Sequence, residues 1–198
     1  MKLDRLGEGG LIRKIRERFK AAVVVPIGDD AAVFDVRANE SLIFCSDLLV
    51  EKRHFVRDLH PPDAVAYKSI AANVSDVGAM GGTPLHFLIS LAAPGNLDVT
   101  WIDAFLDGVA RACADFDISL LGGDSSSSDE IFVDVSMIGS IPPGKAIRRA
   151  AWRFYLPQRH GWRFHAWPGT LESRRSQESR GATSSLSSTE AQSRRSCS

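Results

Sequence analysis

The sequence predicts an α/β (α+β) domain, a sheet covered by helices in a nearly ferredoxin-like order, followed by a tail that does not fold. Two observations carry this. Short apolar runs bounded by Gly, Pro, Asn and Asp alternate with long stretches of helical periodicity, an alternation that lays helices on a sheet face. Near residue 150 the composition then breaks abruptly.

Taken in order, Leu6, Leu11, Ile12, Ile15 and Phe19 recur at helical spacing, so residues 3–20 predict an amphipathic helix docked by one face. The apolar run 23–27 predicts a strand, kept short or at an edge by Pro26, which donates no ladder hydrogen bond. It leads into Ile27-Gly28-Asp29-Asp30-Ala31. Gly28 permits a tight turn, and Asp29 and Asp30 then point to opposite sides of the chain. Residues 31–36 predict a second strand. Residues 42–46 predict a third, with Asp47 at its end, and 48–58 read as a mixed polar loop containing His54. Pro61-Pro62-Asp63 opens a helix that runs to Met80 and stops at Gly81-Gly82-Thr83-Pro84. Residues 85–92 predict a strand and 100–116 an amphipathic helix. Residues 118–121 predict a strand that ends in the turn Gly122-Gly123-Asp124, with Ser125 to Ser128 as a flexible loop. Residues 131–139 predict the last strand.

The formal net charge is zero, but it is unevenly spread. Residues 151–198 hold 8 Arg and 3 Glu without Lys or Asp, about +5, which leaves about −5 on the body. An acidic body excludes nucleic acid as its main partner and suits divalent cations. Cys45, Cys113 and Cys197 lack Cys-x-x-Cys spacing, so they form neither a zinc site nor a disulfide framework, and they fit the reducing cytoplasm. No stretch is long and apolar enough to span a membrane, and the first residues do not start a signal peptide. The tail lacks Val, Ile, Asp, Lys, Asn and Met, crowds Trp152, Trp162 and Trp167 together, and then turns to Ser and Arg. It reads either as a natural disordered appendage or, the favoured explanation, as out-of-frame translation after a change near codon 150.

Four acids sit at or near apolar segments: Asp30, Asp47, Asp76 and Asp124. Carboxylates at strand ends can gather on one rim of a sheet, where α/β proteins place their sites. Asp76 follows Asn73 by three residues, which puts both on one helix face. Gathered carboxylates repel unless cations neutralise them, and hard oxygen donors suit Mg²⁺ bridging to phosphates. Each acid alone reads better as a cap, a turn or a solvated charge; the four together favour a site. Gly122-Gly123-Asp124 offers unobstructed backbone N–H groups to a phosphate, without the Lys-Ser/Thr of a Walker A loop, and also reads as a plain turn. His54 has no Ser or Cys nucleophile beside it, so no catalytic residue is assigned.

The ordered set of Ile27-Gly28-Asp29-Asp30-Ala31-Ala32-Val33, Ser46-Asp47-Leu48-Leu49-Val50-Glu51 with His54-Phe55, Asn73-Val74-Ser75-Asp76 within residues 67–81, and Leu121-Gly122-Gly123-Asp124 resembles the thiamine-monophosphate kinase family, related to aminoimidazole ribonucleotide synthetase. Leu6 to Ile12 look like the same family, and the likeness runs from about residue 3 to Arg149. The resemblance implies ATP-dependent phosphorylation of thiamine monophosphate to thiamine diphosphate, by in-line attack of the substrate phosphate. It implies Mg²⁺ at Asp30, Cys45, Ser46, Asp47, Asp76 and Asp124, ATP at Gly123, Asp124 and Arg149, and substrate at His54. It also implies an amino-terminal domain over residues 1–149 that pairs its sheets across a homodimer. Several positions depart from the family pattern: Pro26 stands where a Gly is common, Lys52 and Arg53 where smaller residues are usual, and Ser125 to Ser128 where Thr-Thr-Arg-Gly is common. From Ala150 to 198 nothing matches the family's second domain, so the resemblance implies a truncated and inactive kinase. The alternative is a non-catalytic nucleotide-binding or dimerisation module whose basic tail meets an anionic partner. A related ATP-using synthetase is disfavoured by the Asp47 to Phe55 segment.

Overall fold

The computed structural model describes residues 1–148. Arg149 and the 150–198 tail, including the ATP contact expected at Arg149, lie outside the described residues. The elements run α1 (Leu3–Arg18), β1 (Ser41–Val50), α2 (Pro62–Ala79), β2 (Thr83–Ala93), α3 (Val99–Phe116), β3 (Ser119–Ser127) and β4 (Phe132–Ile141). The four strands form one mixed sheet in the order β1-β4-β2-β3. β4 is antiparallel to both neighbours, and β2 and β3 are parallel. The long crossover through α3 makes that parallel pairing possible.

Alternation along β4 decides which face is the core. Val133, Val135 and Met137 are fully buried, against Val65, Ile70 and Val77 of α2 and Ile102, Phe105 and Val109 of α3. The α2–α3 contact is close: a Cβ at Gly108 would collide with the Asp63 carbonyl. Pro62 in the first turn of α2 forfeits only an amide that has no helical partner. The opposite sheet face carries Leu42, Phe44, Leu48 and Leu88, all exposed, with Phe44 at 70%.

Three expectations fail. Residues 23–36 contribute no strand to the sheet: Val25 and Val33 exchange two backbone hydrogen bonds, Ile27 bridges Asp29, and the segment stays otherwise unladdered. Pro26 interrupts the donors, and Val24, Val33 and Val36 remain exposed, while Ile27 packs half-buried against the core. The third expected strand does not stop at residue 46 but continues through Asp47 to Val50, because β4 pairs with it residue for residue. Finally, Gly122-Gly123-Asp124 is not a turn and Ser125 to Ser127 are not a loop; all lie within β3, laddered to Leu88–Ala93 of β2.

Candidate functional site

The expected carboxylates form two groups and not one rim. On β1, Cys45, Asp47 and Leu49 share the parity that faces the helices, and Asp47 lies opposite buried Val135. The Cys45 thiol contacts Asn73 of α2 at its carbonyl oxygen (3.7 Å) and its Oδ1 (3.5 Å). Burial, then the carboxylates of Asp76 and Asp47, push that thiol up to about 11, so both acids stand close to it. Asp76 is exposed near the end of α2, whereas Asn73 is wholly buried and donates to the Ser69 carbonyl at 3.1 Å. Asn73 is therefore a packing residue, and Asp76 alone turns outward.

The second group lies across the sheet. Asp124 on edge strand β3 pairs with Ser90, and Ser90 pairs with Asp134 of β4, so this row is on the open face. Three strand spacings, about 14 Å, separate β1 from β3. Asp30, Gly123 and Asp124 line a cavity of about 760 Å³, together with Phe34 and His86. That volume is of the size that holds a cofactor-sized ligand. The Leu121 bulge, where the β2 register jumps between Phe87 and Leu88, turns β3 at this point. Gly123, at φ +154°, is required there because a Cβ would collide with the Ile89 carbonyl oxygen. Gly28, at φ +130°, has Arg16 of α1 lying over it, with the guanidinium Nε 2.6 Å from where a Cβ would be. Arg16 thus brings a cation to the Asp29–Asp30 segment.

Ser46 faces away from Asp47 and donates its hydroxyl to Asp134 at 2.8 Å. Asp134 was not among the residues singled out from the sequence, nor were Arg16, Arg57 and Lys68, and Glu51 entered only as the end of the Ser46–Glu51 motif. His54 is exposed at the turn after β1, and its Nδ1 accepts the Val50 N–H at 2.9 Å. His86 lies under the Phe34 ring, 5.0 Å between centroids, and burial lowers its proton affinity from the usual 6.5.

Among the described residues, no three His, Cys, Asp or Glu side chains gather closely enough to cage a metal. Asp47 and Asp76 both act on the Cys45 thiol, and Asp30 and Asp124 both border the cavity. That donor set fits Mg²⁺, which keeps several waters and takes one or two carboxylates alongside phosphate oxygens. No helix among the described residues is long and apolar enough to cross a membrane.

Comparison with known proteins gives the chain its relatives. A thiamine-monophosphate kinase of Synechococcus elongatus is 36% identical over 148 residues, 75% of this chain and 44% of that protein. The crystal structure of thiamine-monophosphate kinase from Stenotrophomonas maltophilia K279a superposes with a TM-score of 0.62 at 35% identity, covering 75% of this chain and 46% of that one. A structure described as AaThiL complexed with AMPPCP and TMP gives 0.52 at 39% identity, covering 72% and 44%. The chain therefore spans less than half the length of these relatives. Residues 28–141, which hold both carboxylate groups and every sheet strand, match the AIR synthase related protein, N-terminal domain, and the chain belongs to that family.

Proposed function

We propose that this chain is the metal- and nucleotide-binding half of a kinase that transfers a phosphoryl group from ATP to thiamine monophosphate, giving thiamine diphosphate. The observation that carries the reading is the placement of the four acids: all lie in the family-matched stretch, in two pairs, one pair bordering a cavity large enough for a nucleotide. Similar chains bear the thiamine-monophosphate kinase name, and one such structure holds AMPPCP and TMP. In this reading Asp47, Asp76 and Cys45 on the helix side of the sheet, and Asp30 and Asp124 across it, hold Mg²⁺, with Ser46 joining them from the open face beside Asp134; Gly123, Asp124 and Arg149 meet ATP; His54 meets thiamine monophosphate. Bound Mg²⁺ would neutralise the charge of the phosphates. The protein's own contribution is positioning: phosphoryl transfer asks for alignment and charge stabilisation more than covalent chemistry.

A second copy is part of the proposal. Phe44, Leu48, Leu42 and Leu88 give the open sheet face an exposed apolar row. Two such faces packed together in a homodimer would hide it and set the edges bearing the separated pairs side by side. Residues 1–149 form the kinase's amino-terminal domain in the cytoplasm. Residues 150–198 are a shifted reading frame, an idea that fails if no other frame near codon 150 encodes a Gly-rich second domain.

The test is ATP binding to the 198-residue chain with and without Mg²⁺, followed by assay of thiamine diphosphate after adding thiamine monophosphate. Mg²⁺-dependent ATP binding, weakened at least tenfold by Asp47→Asn and by Asp124→Asn, is the expected result. Binding indifferent to Mg²⁺ and to both substitutions would overturn the proposal. Product formation lost in Asp47→Asn would show that the second domain is dispensable.

A further inference from the structure

Among the described residues Glu51 is the one buried carboxylate, 5% exposed, a burial that an acid tolerates only when its oxygens are paired. Its three side-chain hydrogen bonds tie it to two other parts of the chain. Its Oε1 accepts from Arg57 Nε at 2.9 Å, and its Oε2 accepts from Arg57 Nη2 at 2.7 Å and from the Ile131 N–H at 2.9 Å. The carboxylate thus joins the end of β1, the start of β4 and the far end of the 52–57 turn. Burial raises its proton affinity, but the Arg57 hydrogen bond, the Ile131 amide and the cationic charges outweigh this, and the group is held below its ordinary 4.5.

Inside that loop the backbone is closed tightly. Lys52 N–H donates to the Phe55 carbonyl at 2.7 Å, His54 N–H to the Val50 carbonyl at 2.9 Å, and Phe55 plugs the core at 3% exposure. From α2, Lys68 Nζ donates to the His54 carbonyl at 2.9 Å. His54 itself is left with one freedom, the orientation and tautomer of its ring. The Val50 N–H settles both, because a nitrogen that accepts a hydrogen bond carries no proton, which leaves the proton on Nε2. The exposed ring edge therefore presents a single donor.

We propose that Glu51 is a positioning residue whose buried carboxylate fixes the Val50–Arg57 turn so that His54 offers only its Nε2–H outward, to a hydrogen-bond acceptor on the substrate. It rests on the reading of His54 as a substrate contact, and it specifies the chemistry of that contact: an anionic or ring-nitrogen acceptor, never a donor. The control lies six residues on. Val56 N–H meets His60 Nδ1 at 3.1 Å in the same i, i+4 arrangement, but the His60 ring lies beyond Arg57, and the same nitrogen is also 3.1 Å from the Val56 carbonyl oxygen. Fixed geometry of this kind spares a site the cost of ordering a ring when the ligand arrives.

The experiment is nitrogen NMR of the full chain labelled in its histidine side chains, on wild type, Glu51→Gln and Arg57→Lys. Wild type should show His54 with a pyridine-like Nδ1 and a pyrrole-like Nε2. Glu51→Gln should average the two His54 signals toward a mixture while His60 stays unchanged. If Glu51→Gln does not fold, Arg57→Lys, which keeps the charge but not the two-pronged geometry, should show the same averaging. A mixed His54 in wild type, or an unaltered His54 in a folded variant, would overturn the proposal. Adding thiamine monophosphate separates the two layers. His54 signals that move in wild type, and at least threefold weaker binding in the variant, support both. A single fixed tautomer that ignores thiamine monophosphate supports the positioning by Glu51 and overturns the substrate role of His54.

Discussion

The two segments that carry the candidate metal acids differ in how the chain holds them. Asp47 sits inside a ten-residue strand paired throughout with β4, and the buried Glu51 pins the end of that strand four residues later. Asp30 sits in a segment where Val25 and Val33 exchange two backbone bonds, with the exposed valines of residues 24, 33 and 36 on either side of it. The Asp47 side is built before any ligand arrives. The Asp30 side is positioned by contacts from neighbours, Arg16 over Gly28 and Phe34 over His86, and not by a sheet ladder. Within one site, one half is scaffold and the other is adaptable.

The sharpest way to break this contrast is at the glycine where the adaptable side meets the sheet. Gly123→Ala places a Cβ against the Ile89 carbonyl at a φ that L-residues avoid, so β3 must leave β2. A loss of about 3 kcal/mol or more in urea unfolding is expected, with amide protection lost along β3 and retained in β1. Loss of protection in β1 first would reverse the assignment of scaffold and adaptable halves.

Glu51→Leu should come next. It leaves Arg57 and the buried Ile131 N–H without their acceptor and should cost about 3 kcal/mol by denaturant midpoint. Asp30→Asn, measured the same way, should change stability by less than about 0.5 kcal/mol, because the residue is exposed and the hydrogen bond it makes here is its backbone N–H to the Asp29 carboxylate, which the substitution keeps. Equal costs for the two would erase the distinction.

Acid separates the halves without mutation. His86 holds its proton less readily when folded, so the unfolded chain binds the extra proton as pH falls below 6.5, and the stability that neutral His86 gives, complete above that value, is lost downward from it. Glu51 is shifted below 4.5, so its contribution is complete above 4.5 and disappears only as pH drops through its lower folded value. The urea midpoint should therefore fall in two steps, and His86→Leu should remove the upper one, a change of about 1 kcal/mol or less between pH 7 and 5. A His86→Leu profile identical to wild type would show that Phe34 and His86 do not couple to folding.

The long periodic elements were legible because each buries one face: the apolar spacing of α2 and α3 is the core itself. The layering, a sheet under helices, followed from their alternation with apolar runs. The errors share one physical source, the ladder. Ser46 and Asp47 look like the end of a strand, yet pairing with β4 carries the strand past them, since both faces of β1 bear polar residues there. With the strand ended early, the shared parity of Leu49 and Glu51 was hidden, and so was the buried acid. The Gly-Gly-Asp-Ser-Ser-Ser run has turn and loop composition, but eight paired positions on β2 override local preference. Residues 23–27 failed in the other direction: apolar enough for a strand, they join no sheet and pair through the isolated Val25–Val33 bridge instead. The site residues were individually legible as acids after apolar runs. Their division into two pairs was not, because it depends on strand order, and no spacing in the sequence shows β4 inserting between β1 and β2.

The smallest effect tests whether the scaffolded half carries local strain. Lys52 adopts φ +63°, a left-handed conformation that favours glycine, in the turn that presents His54. Its ammonium pairs with Glu130 at 2.9 Å, but both groups face solvent, so screening leaves that pair little weight. Lys52→Gly relieves the backbone and loosens the unfolded chain at the same time, and these two effects oppose each other. With relief dominant, a Tm rise of about 2 °C is expected, with the His54 tautomer unchanged, since the hydrogen bonds that fix it come from Val50, Glu51 and Lys68 and not from residue 52. A Tm fall together with a mixed His54 would mean that the Lys52–Glu130 pair, and not the buried Glu51, holds the turn closed.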